Sequence, residues 1–84
     1  MSKLQTKLLK LGKRVADWRS RRMMTVEALA KKAGISKSTL SDIENGKKDP
    51  RYLTLAFVAE ALGITVATLL RELLTGAIHS TYFS

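Results

Sequence analysis

Residues 25–47 read TVEALAKKAGISKSTLSDIENGK, and this run predicts two short helices joined by a tight turn. Thr25 and Ser36 are good N-cap residues, because a hydroxyl oxygen can accept a hydrogen bond from a backbone N–H in the first helical turn. Gly34, between them, is the residue type that most easily adopts the left-handed conformation at the end of a helix. The second helix is expected to run to about Asn45, where an Asn-Gly pair ends it.

The spacing of small and apolar residues in this run is typical of a helix-turn-helix. Ala30 is small where two helices would cross closely, and Gly34 supplies a positive φ for the sharp turn. Leu40 and Ile43 lie three positions apart and would pack the second helix onto the first. The second helix of such a motif can lie in the major groove of DNA.

Helical patterns continue on both sides of the motif. Before it, an apolar stripe and a basic stripe define an amphipathic first helix, formed by Leu4, Leu8, Leu11, Val15 and Trp18 and by Lys3, Lys7, Lys10, Arg14 and Arg21. Trp18 is expected in the core. Gly12 costs about 1 kcal/mol inside a helix relative to alanine, so it is interpreted as separating an N-terminal extension from the helix of the domain. After the motif, a fourth helix over about 52–62 and a fifth helix capped by Thr65 complete an all-α chain.

A longer run resembles a known family of DNA-binding domains. The segment from Leu29 to Lys47, with Pro50 after it and AEALGI at 59–64, closely resembles the Cro/CI-type (XRE, phage-repressor-like) helix-turn-helix family. The resemblance covers about residues 11–70. It implies an all-α, five-helix phage-repressor-like domain.

We therefore expect the chain to have three parts. Residues 1–10 form a basic extension of helix 1, residues 11–75 form the helix-turn-helix domain, and residues 76–84 form a C-terminal tail that is a candidate dimerisation element. The sequence of this tail also permits a short extended segment.

The resemblance also implies which residues contact DNA. The family's base-reading positions are occupied by Ser36, Lys37, Ser38 and Asp42. Lysine can donate to guanine O6 and N7, serine is an undiscriminating partner, and aspartate can accept from cytosine N4. Candidate contacts to the DNA backbone are Thr25, Thr39, Ser41, Asn45, Lys47, Lys48 and Arg51. Arg19 and Glu44 match a pair that the resemblance implies is a structural ion pair.

Two positions depart from the family's pattern. Val26 stands where the family commonly has a glutamine that contacts phosphate, and valine cannot form that hydrogen bond. Met23 stands where the family commonly has a glycine at the end of the first helix. The first helix is therefore expected to run on, or to end differently.

Composition indicates the class of partner and excludes several chemistries. The 84 residues carry a net charge of +8, which indicates a polyanionic partner, nucleic acid or an anionic membrane. Residues 1–24 hold eight Lys or Arg against one Asp, a balance of +7, whereas residues 25–51 carry +2 and residues 52–84 carry −1. With no cysteine and one histidine, His79, disulfides, thiolate metal sites and all-histidine sites are excluded, and no cofactor is expected.

We expect an intracellular, cytoplasmic and nucleoid-associated protein of bacterial or phage type that is not an enzyme. No apolar run approaches the roughly 20 residues needed to cross a bilayer, and the N-terminus lacks the hydrophobic core of a signal peptide. A phosphate-cradling glycine loop and a set of metal ligands are also absent from the sequence. The basic stripe before Thr25 leaves three interpretations open: a solvated face, an arm that tracks phosphates, or a helix on a membrane surface.

The leading hypothesis is a transcriptional regulator that binds double-stranded DNA as a homodimer. A two-fold dimer on a palindrome places two recognition helices about 34 Å apart, which gives specificity that one small module lacks. The expected dimer surface comprises Leu69, Leu70, Leu73, Leu74, Ile78, Tyr82 and Phe83. The alternative is an antitoxin-type or other interaction regulator that binds a partner protein as well as DNA.

Overall fold

The computed structural model describes residues 2–71 and 73, and within them every regular element is a helix. The predicted all-α fold is therefore confirmed, whereas the predicted tail lies outside the described residues. In this part of the chain, no helix is both long enough and apolar enough to cross a membrane. The helices are α1 (Lys3–Arg21), α2 (Val26–Ala33), α3 (Lys37–Glu44), α4 (Tyr52–Leu62) and α5 (helical over 66–71 and 73).

The predicted helix starts are confirmed by hydrogen bonds of the capping side chains. Thr25, Ser36 and Thr65 each accept a bond of 3.0 Å through the side-chain hydroxyl, from the backbone N–H groups of Ala28, Thr39 and Thr68 respectively. Each hydroxyl thereby satisfies one of the N–H groups that a helix start leaves without a partner. The predicted left-handed turn at Gly34 is also present, with φ of 75°.

The core lies where the five helices meet. Its fully buried large side chains come from all five helices and are Val15, Leu29, Leu40, Ile43, Val58, Leu62 and Leu69. α1 packs on α3, and α2 packs on both α3 and α4. Trp18 lies at the edge of this core, half-buried, with the guanidinium groups of Arg21 and Arg22 at 4.9 and 5.1 Å from the centre of its ring.

Two leucines expected in a dimer interface belong instead to the core of this chain. Leu69 is fully buried and Leu73 is 9% exposed. The structure therefore assigns them to packing within one chain, because an apolar stripe on a helix serves its own core as readily as that of a partner. Leu70 is half-buried against the same core. The rest of the expected surface, Leu74, Ile78, Tyr82 and Phe83, lies outside the described residues.

Gly12 marks a helix contact and not a break in α1. The helix continues without interruption through this buried glycine. A Cβ atom at position 12 would lie 2.4 Å from the carbonyl oxygen of Glu44 and 2.5 Å from that of Ile43. The missing side chain therefore lets α1 lie directly on the C-terminal end of α3.

Met23 keeps the left-handed backbone that glycine would supply. α1 ends at Arg21, and Met23 then adopts φ of 57°, the one positive value among the described non-glycine residues. Its side chain is 92% exposed. The expectation that the helix end would change without glycine is therefore wrong for the backbone, although an L-residue in this conformation costs about 1 kcal/mol or more.

Replacing Met23 with glycine should stabilise the fold. For Met23→Gly we expect a gain of about 0.5–1 kcal/mol in the free energy of unfolding, because the left-handed strain is removed and an exposed side chain loses little contact. Urea denaturation measures this change. The matched control is Lys13→Gly, at an exposed position in the middle of α1, which should cost about 0.5–1 kcal/mol. A destabilisation by both variants would contradict the argument from strain.

Two basic residues of α1 bind backbone carbonyl groups of α5. Lys7 Nζ donates to the carbonyl of Leu73 at 2.6 Å. Arg14 donates at 2.7 Å to each of the carbonyls of Thr68 and Leu69. Each of these side chains therefore ties α1 to the backbone of α5. For these two side chains, the open question about the basic stripe is thus answered by contacts within the chain.

Arg22 makes the same kind of contact with α4. Its Nε donates to the carbonyl of Leu62, the last residue of that helix, at 2.8 Å. Part of the positive charge before Thr25 therefore serves packing and capping, and it is engaged in the free protein.

Candidate DNA-binding surface

The first turn of α3 presents exposed hydrogen-bonding groups. Ser36, Lys37 and Ser38 are all exposed. The Ser36 hydroxyl caps the helix and also donates to Thr39 Oγ1 at 2.7 Å, and it lies 3.4 Å from Ser38 Oγ. Three of the four predicted base-reading residues therefore form one cluster at the start of the second helix of the motif.

Lys37 forms an ion pair that the sequence pattern does not predict. Its Nζ lies 3.1 Å from Oε2 of Glu27, which is in the first turn of α2. Both side chains remain about two-thirds exposed, at 62% and 65%. Hydrogen bonds from its own backbone N–H and from Lys37 lower the pKa of Glu27 below its usual value. The starts of α2 and α3 are thus joined by their side chains.

Asp42, the fourth predicted base-reading residue, is paired as well. Its Oδ2 lies 3.3 Å from Nζ of Lys48, a predicted contact to the DNA backbone. Asp42 is 30% exposed and Lys48 is 60% exposed. The structure therefore brings a candidate base contact and a candidate phosphate contact together across the turn that follows α3.

The C-terminal end of α3 is held by Asn45. Its side-chain amide donates to the carbonyl of Ser41 at 2.8 Å and to the Ser41 hydroxyl at 3.3 Å. Gly46 then adopts φ of 69°, and the backbone N–H of Lys47 returns to the carbonyl of Asp42 at 2.9 Å. This turn leaves the Lys47 side chain exposed beside the end of the helix.

An open groove of about 300 Å³ lies between α3 and the start of α4. Its lining combines apolar, hydroxyl and charged side chains, and consists of Thr39, Ile43, Lys48, Asp49, Pro50, Arg51 and Thr54. Three of these were predicted as backbone contacts: Thr39, Lys48 and Arg51. Thr54 was not predicted, because a threonine inside a helix carries no local signal of function.

Arg19 ties α1 to the end of α3. Its Nε and one terminal nitrogen donate to the two carboxylate oxygens of Glu44 at 2.7 and 3.1 Å. The other terminal nitrogen donates to the carbonyl of Met24 at 2.9 Å. The two side chains are only 20% and 10% exposed. The hydrogen bond with Glu44 raises the pKa of Arg19 above its usual value.

The start of α2 offers DNA fewer hydrogen-bonding groups than the family's usual sequence would. The Thr25 side chain is exposed, but its hydroxyl accepts the capping bond from Ala28. Val26, at the first position of α2, is half-buried and packs against the core. Its side chain therefore serves packing, and the hydrogen bond that glutamine would make has no equivalent in valine.

Known proteins are similar to this chain over the segment that contains the helix-turn-helix. A family model described as helix-turn-helix matches residues 15–69. The immunity repressor protein of Bacillus phage phi105 is 42% identical over 62 residues, which cover 74% of this chain and 43% of the repressor. SinR, an HTH-type transcriptional regulator of Bacillus subtilis, is 38% identical over 63 residues, which cover 74% of this chain and 57% of SinR. The chain thus spans about half the length of these relatives.

Solved structures agree with the sequence match. The restriction-modification controller protein C.AhdI from Aeromonas hydrophila superposes with a TM-score of 0.75 at 26% identity, over 76% of this chain and 97% of that one. SinR in its complex with SinI superposes with a TM-score of 0.71 at 33% identity, over 84% of this chain and 65% of that one. The chain therefore belongs to the Cro/CI-type helix-turn-helix family of transcriptional regulators.

Proposed function

We propose that this chain is a sequence-specific regulator that binds double-stranded DNA with α3 in the major groove. The observation that carries the proposal is the exposed cluster at the first turn of α3, Ser36, Lys37 and Ser38, with cationic side chains at the far end of the same helix. Exposed donors at a helix start fit base edges, whereas cations beside the helix fit phosphates. The relatives named as a repressor and a regulator support this assignment.

The chemistry of the side chains along the motif indicates which of them contact bases and which contact the DNA backbone. The first turn of α3 and Asp42 read bases. The backbone of the DNA is held by Thr25, Thr39, Ser41, Asn45, Lys47, Lys48 and Arg51. Arg51 precedes α4 and is exposed beside the groove, so that it can reach a phosphate without disturbing a cap.

The regulator acts as a homodimer on a palindromic operator. One module of this kind presents a single recognition helix, and a two-fold pair doubles the number of bases read. Of the apolar surface expected to form the dimer, Leu70 is the described side chain that is only half-buried. We place the remaining contacts in residues 76–84 and at Leu74.

Binding of a partner protein is the alternative function. SinR, one of the similar proteins, was solved in a complex with SinI. A regulator of this class can therefore combine DNA binding with a protein partner. Purification of this chain from its native host together with a stoichiometric second protein would favour that alternative.

Selection of binding sites from a library of random duplexes tests the proposal directly. We expect enrichment of one sequence with two inverted half-sites, whose centres lie about 10 base pairs apart or a multiple of that spacing. A library that shows no enrichment would overturn the sequence-specific function. Enrichment of a single half-site without symmetry would instead overturn the homodimer.

Two single substitutions should separate base contacts from phosphate contacts. For Arg51→Ala we expect weaker binding on all sequences, with a salt slope that is flatter by about 0.9 per subunit, because one phosphate contact is lost. Lys37→Ala removes the same charge but should relax the base preference at one position in each half-site. Titrations at several salt concentrations, on selected and random duplexes, measure both effects. A parental salt slope for Arg51→Ala would refute its phosphate role.

A further inference from the structure

We propose that Glu27 is a specificity-determining residue, whose carboxylate holds Lys37 as a reader of neutral base edges and keeps it from binding phosphate. The inference rests on the proposed function, since it concerns how one candidate reading residue distinguishes bases from backbone. It starts from the contact between Lys37 Nζ and Glu27 Oε2 at 3.1 Å.

Glu27 is well placed to hold the lysine. It is the second residue of α2, where a negative charge is favourable beside the helix start. Its carboxylate accepts a hydrogen bond from Lys37 Nζ. Lys37 is the first residue of α3, so the pair connects the starts of the two helices of the motif. The lysine is therefore held at the end of α3 that we propose enters the major groove of DNA.

The paired lysine keeps the donors that base reading needs. An ammonium group has three N–H donors, and the contact with Glu27 engages one of them. The two remaining donors match O6 and N7 of guanine, which are neutral acceptors. A lysine already held in place also loses less side-chain freedom when it binds.

Phosphate is a poorer partner for the same lysine. The ion pair has no net charge, so it adds little to the sequence-independent attraction between protein and DNA backbone. A phosphate that approached Lys37 would also meet the Glu27 carboxylate, a like charge, at close range. Glu27 should therefore lower affinity for random DNA more than affinity for a cognate site.

The second ion pair on this surface also places a carboxylate beside a lysine. Asp42 lies 3.3 Å from Lys48 and offsets its charge. With both pairs formed, the motif presents many hydrogen-bonding groups and little excess charge, as the balance of +2 over residues 25–51 indicates. Asp42 is itself a candidate base contact, so Glu27 gives the cleaner test.

The test compares Glu27→Gln with the parent chain on a selected duplex and on a random duplex of equal length. On the random duplex we expect the Kd to fall by about fivefold, the upper range for one exposed charge pair. The salt slope there should steepen by about 0.9 per subunit, as Lys37 gains a phosphate. The gain in affinity on the selected duplex should be clearly smaller. The ratio of affinity for the selected duplex to affinity for the random duplex therefore falls.

Two further variants identify the cause. Glu60→Gln makes the same change in charge at an exposed position of α4 and should leave the ratio of affinities unchanged. In a Lys37→Ala background, Glu27→Gln should lose most of its effect, because Glu27 acts through that lysine. An equal gain on both duplexes, or an undiminished gain without Lys37, would overturn the inference and reduce Glu27 to simple repulsion. A parent chain that does not distinguish selected from random DNA would instead overturn the proposed function itself.

Discussion

Gly12→Ala is expected to destabilise the fold by about 2–3 kcal/mol, although alanine is the better helix former. Helix propensity alone favours alanine by about 1 kcal/mol. Against this gain, the new Cβ would lie 2.4 and 2.5 Å from two backbone carbonyl oxygens at the end of α3. Overpacking in a core costs about 1–3 kcal/mol, and more when the neighbour cannot move. A backbone carbonyl in a helix has no alternative rotamer, so α1 and α3 must separate.

Thermal or urea unfolding of the variant measures this cost, with Gly34→Ala as the matched control. A methyl group at position 34 meets no atom within 4 Å, and only the left-handed φ of 75° opposes it. That strain is worth about 1 kcal/mol. We therefore expect the midpoint to fall by about 10 °C or more for Gly12→Ala and by less for Gly34→Ala. A stabilised Gly12→Ala would show that propensity dominates and that the helices can move apart at no cost.

Gly12 illustrates what local sequence patterns can and cannot predict. The helix starts at Thr25, Ser36 and Thr65 were predicted correctly because a cap depends on a hydroxyl and on an N–H only three positions away. The meaning of Gly12 depends on the carbonyls of a helix formed much later in the chain. A propensity scale contains no such contact, so it suggests only a boundary between an N-terminal extension and the helix of the domain.

Distant contacts also explain the other differences. Lys7 and Arg14 bind carbonyls 66 and 55 positions away, and a basic stripe alone does not distinguish this from a solvated face. Leu69 and Leu73 were expected to contact a partner, yet they complete the core of this chain.

The candidate DNA-binding surface also has features that the local sequence predicts and features that it does not. Its predicted members at the start of α3 are exposed, as the motif requires. Glu27 was missed, because its pairing with Lys37 depends on the angle at which the two helices meet. The residue types were predictable from the motif, whereas the partner of each charge was not.

Arg19→Ala is the second large effect that we expect, at about 2–3 kcal/mol. Removal of one member of a buried ion pair costs about 3–5 kcal/mol, because the remaining charge stays desolvated. The slight exposure of Arg19 and Glu44, 20% and 10%, lowers this value. Arg19→Lys should recover only part of the loss. Lysine restores the charge, but it cannot donate to both carboxylate oxygens and to the Met24 carbonyl with the fixed geometry of a guanidinium.

A double-mutant cycle with Glu44→Ala distinguishes a structural pair from a base-reading one. If the pair fixes the end of α3 against α1, the double variant should lose less stability than the two single variants together, with a coupling of about 1–2 kcal/mol. Affinity for DNA would then fall only as far as the fold loosens, and the bases enriched from a random library would stay the same. A variant that unfolds like the parent but selects different bases would instead place Arg19 in the DNA interface. Because the guanidinium is engaged at three oxygens inside the chain, we expect the first result.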